Sequence, residues 1–228
     1  MSSLVYFLIL AIVLALIYIT VELTQKPIIS IYVKALASLS FIILGMTRLV
    51  LDYQDVPKVM GFILLGLACG MIGDIVLALR PLRPKEEDKL IIVFGIISFS
   101  LGHLFYLTAL FIISSFSWLA LIIGLVVFVM VIIMSDVMKF DMKIARLPSY
   151  FYAFLIFFMV GQSFEVGRTL SFNSSSVLFL SGALLFGISD LILAPIYYTN
   201  KSSKLMIALN LLTYYGAQIL IALSLYFM

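Results

Sequence analysis

The chain contains one cysteine, one histidine and few charged residues, and these shortages exclude several kinds of protein. Cys69 alone excludes an internal disulfide and argues against a thiolate metal site. Charged residues make up only 11% of the 228 residues, and the basic ones are spread over short connections, which excludes the basic patch of a nucleic-acid-binding protein. The chain is instead 64% hydrophobic, with a mean hydropathy of +1.26, as is typical of an integral membrane protein.

Long apolar runs predict an all-α fold, because a helix that crosses a membrane needs about 20 apolar residues. The predicted segments are 4–22, 28–51, 58–80, 89–113, 116–136, 147–167, 175–199 and 203–227. The first lacks the features of a cleaved signal peptide, so we expect it to be retained. The weakest boundary lies at Ser114, Ser115 and Ser117, where Trp118 is a candidate interfacial anchor. Residues 1–228 are thus predicted to form a single integral membrane domain, a bundle of eight transmembrane helices.

The basic residues predict the orientation of the bundle. Of the 14, eleven lie in or beside the connections between helices 1 and 2, 3 and 4, 5 and 6, and 7 and 8: Lys26, Lys34, Arg80, Arg83, Lys85, Lys89, Lys139, Lys143, Arg146, Lys201 and Lys204. The opposite side holds only Arg48, Lys58 and Arg168. Because positive charges are concentrated on the cytoplasmic side of membrane proteins, both termini are predicted to be non-cytoplasmic.

Two aspartates lie deep in apolar segments and share a local sequence. One is in Gly-Met-Ile-Gly-Asp74-Ile-Val-Leu-Ala, the other in Phe-Gly-Ile-Ser-Asp190-Leu-Ile-Leu-Ala. A carboxylate inside a membrane costs a few kcal/mol and is usually functional. Asp74 lies six residues before Arg80, and Asp190 lies five residues before Pro195. Both are therefore roughly 7–9 Å from a cytoplasmic helix end. We therefore predict that they face each other across one cytoplasm-facing cavity.

The spacing of the two aspartates also suggests an internal repeat. They are 116 residues apart, and Gly102-His103 is weakly echoed by Gly216-Ala217-Gln218. Together these features suggest a parallel repeat of four plus four helices. A purely structural alternative stays open, in which the aspartates are hydrogen-bonded residues that hold helices together.

The remaining intramembrane polar residues each have a structural and a functional interpretation. Lys34 either extends to the interface or pairs with an aspartate or a phosphate. His103 lies about 21 Å from the cytoplasmic end of its helix, too deep for an expected contact with either aspartate. Gln218 is unusual because an amide in mid-helix needs partners. One histidine, one cysteine and two aspartates are too few for a zinc site, so no metal is predicted.

At these residues the chain resembles the YhhN family, the lysoplasmalogenases and their relatives, which are eight-helix membrane proteins. The matching blocks are Gly73-Asp74-Ile-Val-Leu, Phe94-Gly95 to Gly102-His103-Leu-Phe-Tyr106, Gly182-Ala-Leu-Leu-Phe186 to Ser189-Asp190-Leu-Ile-Leu-Ala194, and Tyr214-Tyr215-Gly-Ala-Gln218. Lys34, and Tyr152 with Met159, also fit. Gly102 departs from the family, which often has alanine before its histidine.

The resemblance implies a hydrolase that cleaves the vinyl ether bond of lysoplasmalogens to a fatty aldehyde and a glycerophospho-base. Such a reaction needs one protonated carboxylic acid and one carboxylate that stabilises the cation and takes a proton from water, a division of roles known from glycoside hydrolysis. Asp74 and Asp190 are the predicted catalytic residues. The predicted substrate-binding residues are Lys34, His103, Tyr106, Tyr152, Ser189, Tyr215 and Gln218. The expected partners are a lysophospholipid substrate and membrane lipid, with no cofactor and no nucleic acid.

Two other functions fit the same residues. A small transporter or proton-coupled carrier would also have a parallel repeat and two mid-helix carboxylates. A lipid-binding or structural membrane protein would retain the fold without the activity.

Overall fold

The computed structural model describes residues 2–24, 26–51, 58–199 and 202–228. These residues form the helices α1 Ser2–Leu23, α2 Pro27–Leu51, α3 Lys58–Ala78, α4 Asp88–Ile113, α5 Trp118–Val137, α6 Arg146–Thr169, α7 Ser174–Tyr198 and α8 Lys204–Ser224. Short 3₁₀ turns cover Arg80–Leu82, Lys85–Glu87, Lys143–Ala145 and Leu225–Phe227. The all-α prediction is confirmed for this part of the chain, which contains no strand. Lys201, used in the orientation argument, lies outside the described residues.

All eight helices are long and apolar enough to cross a membrane. Their large apolar side chains are exposed over much of the outer surface, as with Trp118, which is 73% exposed. Such exposure suits contact with lipid, because only polar groups need partners inside a bilayer. The protein is therefore a multi-pass membrane protein.

Side-chain caps explain where three of the helices begin. The Ser117 hydroxyl accepts a hydrogen bond from the amide of Ala120 at the start of α5, and the Asn173 side chain accepts one from Ser176 at the start of α7. Ser203 accepts from Met206 in the same way at the start of α8. Such caps satisfy amides that have no partner within the helix. The boundary between α4 and α5, the weakest in the sequence, is therefore built around a serine cap.

A buried glutamine holds that connection in place. Gln162 of α6 accepts a hydrogen bond from the amide of Ser117 at 3.1 Å. Its amide group donates to the Ser114 hydroxyl at 2.9 Å and to the Ser115 carbonyl at 2.8 Å. All of these partners come from the serine-rich connection. A polar residue in an apolar helix thus fixes a turn that hydropathy alone defines poorly.

The helices pack in the order that a repeat of four would produce. In each half the first helix packs on the second, the second on the third and the third on the fourth, with α4 against α6 and α8 against α1 and α2 joining the halves. Helices α3 and α4 cross where a Cβ on Gly102 would lie 3.0 Å from the Gly66 carbonyl oxygen. Helices α7 and α8 cross where a Cβ on Gly182 would lie 2.9 Å from the Ala217 carbonyl oxygen. Gly66 and Gly182 differ by 116 positions, the same offset as the two aspartates.

Candidate functional site

A cavity of about 760 Å³ lies inside the bundle and is lined by residues from all eight helices. It opens at the end that carries the basic connections, where Lys26, Arg83, Lys85 and Lys204 contribute to its lining. Asp74 and Asp190 both line this cavity. Both aspartates therefore line one cavity, and that they face each other across it as a catalytic pair stays a prediction. Which side of the membrane the cavity faces stays a prediction from the basic residues.

Asp74, on α3, is surrounded by hydrogen-bond donors. Its Oδ2 accepts hydrogen bonds from the Ser38 hydroxyl at 2.6 Å and from the Tyr214 hydroxyl at 2.7 Å. Its Oδ1 lies 3.3 Å from the Lys34 ammonium. Asp74 is only 2% exposed and Lys34 only 7%. Each charged group is therefore shielded from water and has the other as its partner. All three neighbours are donors and one is a cation, which is the environment that a carboxylate needs when it is buried.

Lys34 thus lies inside the bundle as a partner of Asp74, one of the two interpretations the sequence allowed. Its ammonium also lies 5.6 Å from the centre of the Tyr18 ring, which in turn packs edge-on against Tyr215. Ser38 follows Lys34 by one helical turn, so both side chains project from the same face of α2. The face of α2 that meets α3 is therefore specialised to hold one negative charge.

Asp190, on α7, has much sparser polar surroundings. The Tyr152 hydroxyl, from α6, is the polar group that interacts with its carboxyl group. Its Oδ2 is buried without a hydrogen-bond partner in the described part of the chain, and no described basic residue forms an ion pair with it. An isolated buried charge is expensive, whereas a neutral carboxylic acid in the same place is not. These surroundings favour the protonated form of Asp190.

The residue before Asp190 fixes the crossing of α7 and α8. Ser189 is buried, and its hydroxyl donates to the Asn210 carbonyl at 3.2 Å. The Asn210 side chain donates to the Ser189 carbonyl at 2.8 Å and to its hydroxyl at 2.9 Å. Both residues line the cavity. Ser189 thus lies at the site, as predicted, but its described bonds hold the backbone next to Asp190.

Four of the predicted substrate-binding residues lie behind the cavity wall. His103, Tyr106, Tyr215 and Gln218 are buried, and the cavity lining does not include them. The His103 Nδ1 lies 2.8 Å from the Phe99 carbonyl oxygen, and the ring packs edge-on against aromatic neighbours. As its depth predicted, the described contacts of His103 do not include either aspartate. Among the predicted binding residues, Lys34, Tyr152 and Ser189 do line the cavity.

Gln218 and Tyr106 form a second layer behind Tyr214. The Gln218 amide donates to the Tyr214 hydroxyl at 3.0 Å, and the Tyr106 hydroxyl donates to the Gln218 carbonyl oxygen at 3.3 Å. Sequence reasoning did not include Ser38, Tyr214 or Asn210 among the site residues. Ser38 could have been found from its position one turn after Lys34. The other two needed the packing of α8 against α3 and α7.

The cavity mouth is braced by the connection between α3 and α4. Arg80 donates two hydrogen bonds to Asp88, at 2.7 and 2.9 Å, and its guanidinium lies 4.1 Å from the centre of the Tyr197 ring. Lys89 donates to the Tyr197 carbonyl at 3.1 Å. These contacts fasten the connection to the end of α7. The basic residues around the mouth give it a positive rim.

Metal-ligating side chains do not cluster in the described residues, where no group of three or more His, Cys, Asp or Glu is placed to hold an ion. The titratable side chains deep in the cavity include the two aspartates with their tyrosine and lysine neighbours.

Comparison with known proteins identifies the family of the chain. The model of the YhhN family matches residues 29–225, from α2 to the 3₁₀ turn that follows α8. The chain belongs to the YhhN family. No curated protein and no solved structure matches it.

Proposed function

We propose that this protein is a hydrolase that cleaves the vinyl ether bond of lysoplasmalogens, releasing a fatty aldehyde and a glycerophospho-base. The observation that carries the proposal is a single cavity lined by two aspartates with opposite surroundings. Asp74 is neutralised by Lys34, whereas Asp190 has no described cation partner. Acid/base hydrolysis needs this pairing of a carboxylate with a carboxylic acid.

The lining of the cavity suits a single-chain lipid. Its rim carries exposed basic residues that would attract a phosphate, and its walls carry apolar side chains such as Ile92, Ile156 and Leu211. The phosphate of a lysolipid lies at the membrane interface, with the vinyl ether a few bonds below it. Asp74 lies four residues before the end of α3 and Asp190 eight residues before the end of α7, which places them roughly 6 and 12 Å inside those helix ends. A phosphate held at the rim would therefore place the vinyl ether near the two carboxyl groups.

The first chemical step is proton transfer to carbon. Asp190 donates its proton to the alkene carbon that does not carry oxygen, the π electrons form the new C–H bond, and the ether oxygen shares the positive charge of the resulting oxocarbenium ion. A positioned general acid contributes about 10²- to 10⁴-fold to such a step. The Asp74 carboxylate, across the cavity, stabilises the developing cation.

Water then adds to the cationic carbon, and its proton passes to the newly formed Asp190 carboxylate. This restores the starting state of the acid, and the resulting hemiacetal collapses to an aldehyde and an alcohol. Sequence reasoning gave the proton-accepting role to the second carboxylate. In the structure three donors already occupy the oxygens of Asp74, so Asp190 has more free acceptor capacity.

The decisive experiment is turnover by the purified protein in detergent, with a vinyl-ether lysolipid as substrate and release of aldehyde as the measurement. The saturated alkyl-ether lysolipid is the matched negative substrate, because it has no alkene to protonate. Aldehyde release that disappears in Asp190→Asn would support the proposal. Absence of aldehyde release would contradict the proposal. It would favour a carrier, because detergent solution has no two compartments between which a carrier could act.

A further inference from the structure

Behind the site, four polar side chains form a continuous line of hydrogen bonds that ends at Asp74. Tyr106 donates to Gln218 at 3.3 Å, Gln218 donates to Tyr214 at 3.0 Å, and Tyr214 donates to Asp74 at 2.7 Å. Tyr106 lies on α4 and Asp74 on α3, whereas Gln218 and Tyr214 lie one turn apart on α8. The line therefore links both halves of the molecule.

The direction of donation along this line is fixed from the Asp74 end. An ionised carboxylate only accepts, so the single proton of the Tyr214 hydroxyl points at Asp74. The Tyr214 oxygen can then only accept from Gln218, which requires the NH₂ side of the amide to face it. The carbonyl side of the amide consequently faces Tyr106, which has to donate. The Gln218 amide is thus oriented to donate to the Tyr214 oxygen, which leaves the Tyr214 proton for Asp74.

Burial makes this direction difficult to reverse. Gln218 is 0% exposed and Tyr106 is 1% exposed, so no bulk water competes for their hydrogen bonds. A Cβ added at Gly70 would lie 2.7 Å from the Gln218 Nε2. The glycine one turn before Asp74 thus leaves space for the amide beside α3. A larger residue there would push the amide away from its position.

We infer that Gln218, held by Tyr106, is a positioning residue that keeps the Tyr214 proton on Asp74 and so maintains Asp74 as the charged member of the pair. The catalytic consequence rests on the proposed function. The orientation itself does not, because it is a property of the resting protein. Neither Gln218 nor Tyr106 lines the cavity, so they act through Tyr214 and not by contact with substrate.

The test is Gln218→Glu, which keeps the size of the side chain but replaces a donor with an acceptor. An ionised Glu at this position accepts from both tyrosines and competes with Asp74 for the Tyr214 proton. We expect kcat to fall by about tenfold to hundredfold, the effect of losing one hydrogen bond to a charged group, with little change in KM. The double variant with Tyr214→Phe should be within about threefold of Tyr214→Phe alone, because both changes remove the same bond.

Gln162→Glu is the matched control. Gln162 is also 0% exposed, and from α6 it hydrogen-bonds the connection between α4 and α5 instead of the site. This variant reports the general cost of burying a glutamate, and kcat per folded molecule should stay near the wild-type value. If Gln218→Glu does not fold, Tyr106→Phe provides the same test in weaker form, with a loss of about two- to fivefold.

Infrared spectroscopy of the resting protein separates this inference from the proposed reaction. The carboxylate band that disappears in Asp74→Asn should shift in Tyr214→Phe, Gln218→Glu and Tyr106→Phe, but not in Gln162→Glu. If the Asp74 band shifts in these variants but the protein does not hydrolyse vinyl ethers, the inference stands and the proposed reaction is rejected. An unchanged Asp74 band in Gln218→Glu and Tyr106→Phe, or additive losses in the double variant, would overturn the inference.

Discussion

Each half of the molecule has an aspartate on its third helix, but the side chains around the two aspartates differ. In the first half the second helix supplies Lys34, its eighth residue, to Asp74. In the second half the second helix supplies Tyr152, its seventh residue, to Asp190. One turn further on, Ser38 donates to Asp74, whereas Ile156, one turn after Tyr152, is apolar and has no group to donate. The two aspartates therefore differ in their neighbours: a cation and two hydroxyls for Asp74, a phenol for Asp190.

The comparison explains why a duplicated motif is compatible with an asymmetric reaction. Two identical carboxylates facing each other would repel, and both would be expensive to bury. Because Lys34 pairs with Asp74, their two charges cancel and Asp74 needs no proton to be neutralised. The remaining aspartate has no described cation partner, which suits the acid that the proposed reaction needs. Asymmetry between the repeats would thus divide the two proposed roles.

The largest expected effect comes from removing the two carboxyl groups in turn. Asp190→Asn and Asp74→Asn should each lower vinyl-ether turnover by about 10²-fold or more, the range for a general acid or base. The loss should be greater for Asp190→Asn, because proton transfer to carbon has no substitute. Turnover is measured as aldehyde release per folded molecule. Near-normal turnover in both variants would reject the assignment of the pair.

The pH dependence of the wild type sharpens the same assignment. If Asp190 acts as an acid, turnover should fall as the pH rises and its proton is lost. Asp74→Asn should retain this falling limb at a lower rate, whereas the residual activity of Asp190→Asn should lack it. A falling limb that survived in Asp190→Asn would assign the proton donor to another group.

A second effect should follow from making the first half resemble the second. Lys34→Met leaves Asp74 buried without its cation, which typically costs about 3–5 kcal/mol of stability when one partner of a buried pair is removed. The double variant Lys34→Met/Asp74→Asn removes both charges and should regain most of that loss. Thermal unfolding in detergent measures both. An equal loss in the single and double variants would show that Lys34 acts through packing.

Sequence reasoning predicted the helices well because length and apolar runs determine them. Each of the eight observed helices ends within three residues of its predicted limits. It also found both aspartates, because a carboxylate in an apolar run is conspicuous. The donors around Asp74 were harder to predict. Tyr214 approaches from α8, 140 positions away, and hydropathy contains no information on how two helices are rotated against each other.

The same limit explains why four of the predicted binding residues do not line the cavity. Gln218 was recognised as a polar residue that needs partners in an apolar helix, and Tyr106 was predicted to bind substrate. Those partners proved to be protein groups in the layer behind the cavity. Only the depth estimate for His103, which follows from helix rise alone, separated one of the four residues from the aspartates. Depth along a helix is thus predictable from sequence, whereas the direction of a side chain depends on the packed neighbour.

A smaller effect is expected from removing the Tyr152 hydroxyl, which interacts with Asp190. Tyr152→Phe keeps the ring that packs against Phe99 and His103 but removes the hydroxyl. We expect turnover to fall by about three- to tenfold, the effect of one hydrogen bond, while the structural role of the ring is preserved. Tyr150→Phe is the matched control, because Tyr150 lies on the same helix but bonds Ser135 and Arg146. A similar loss in both variants would assign the effect to α6 as a whole.

The smallest effect is expected for metal chelation. Proton transfer from a carboxylic acid to carbon and addition of water need no Lewis acid, and a structural or catalytic zinc site needs three or four protein ligands. In the described part of the chain no such group of His, Cys, Asp and Glu occurs. Exhaustive EDTA treatment should therefore leave turnover unchanged within error. If chelation abolished turnover and a divalent ion restored it, the contrast between a charged and a neutral aspartate would have to be abandoned, and Asp74 and Asp190 would be re-examined as metal ligands.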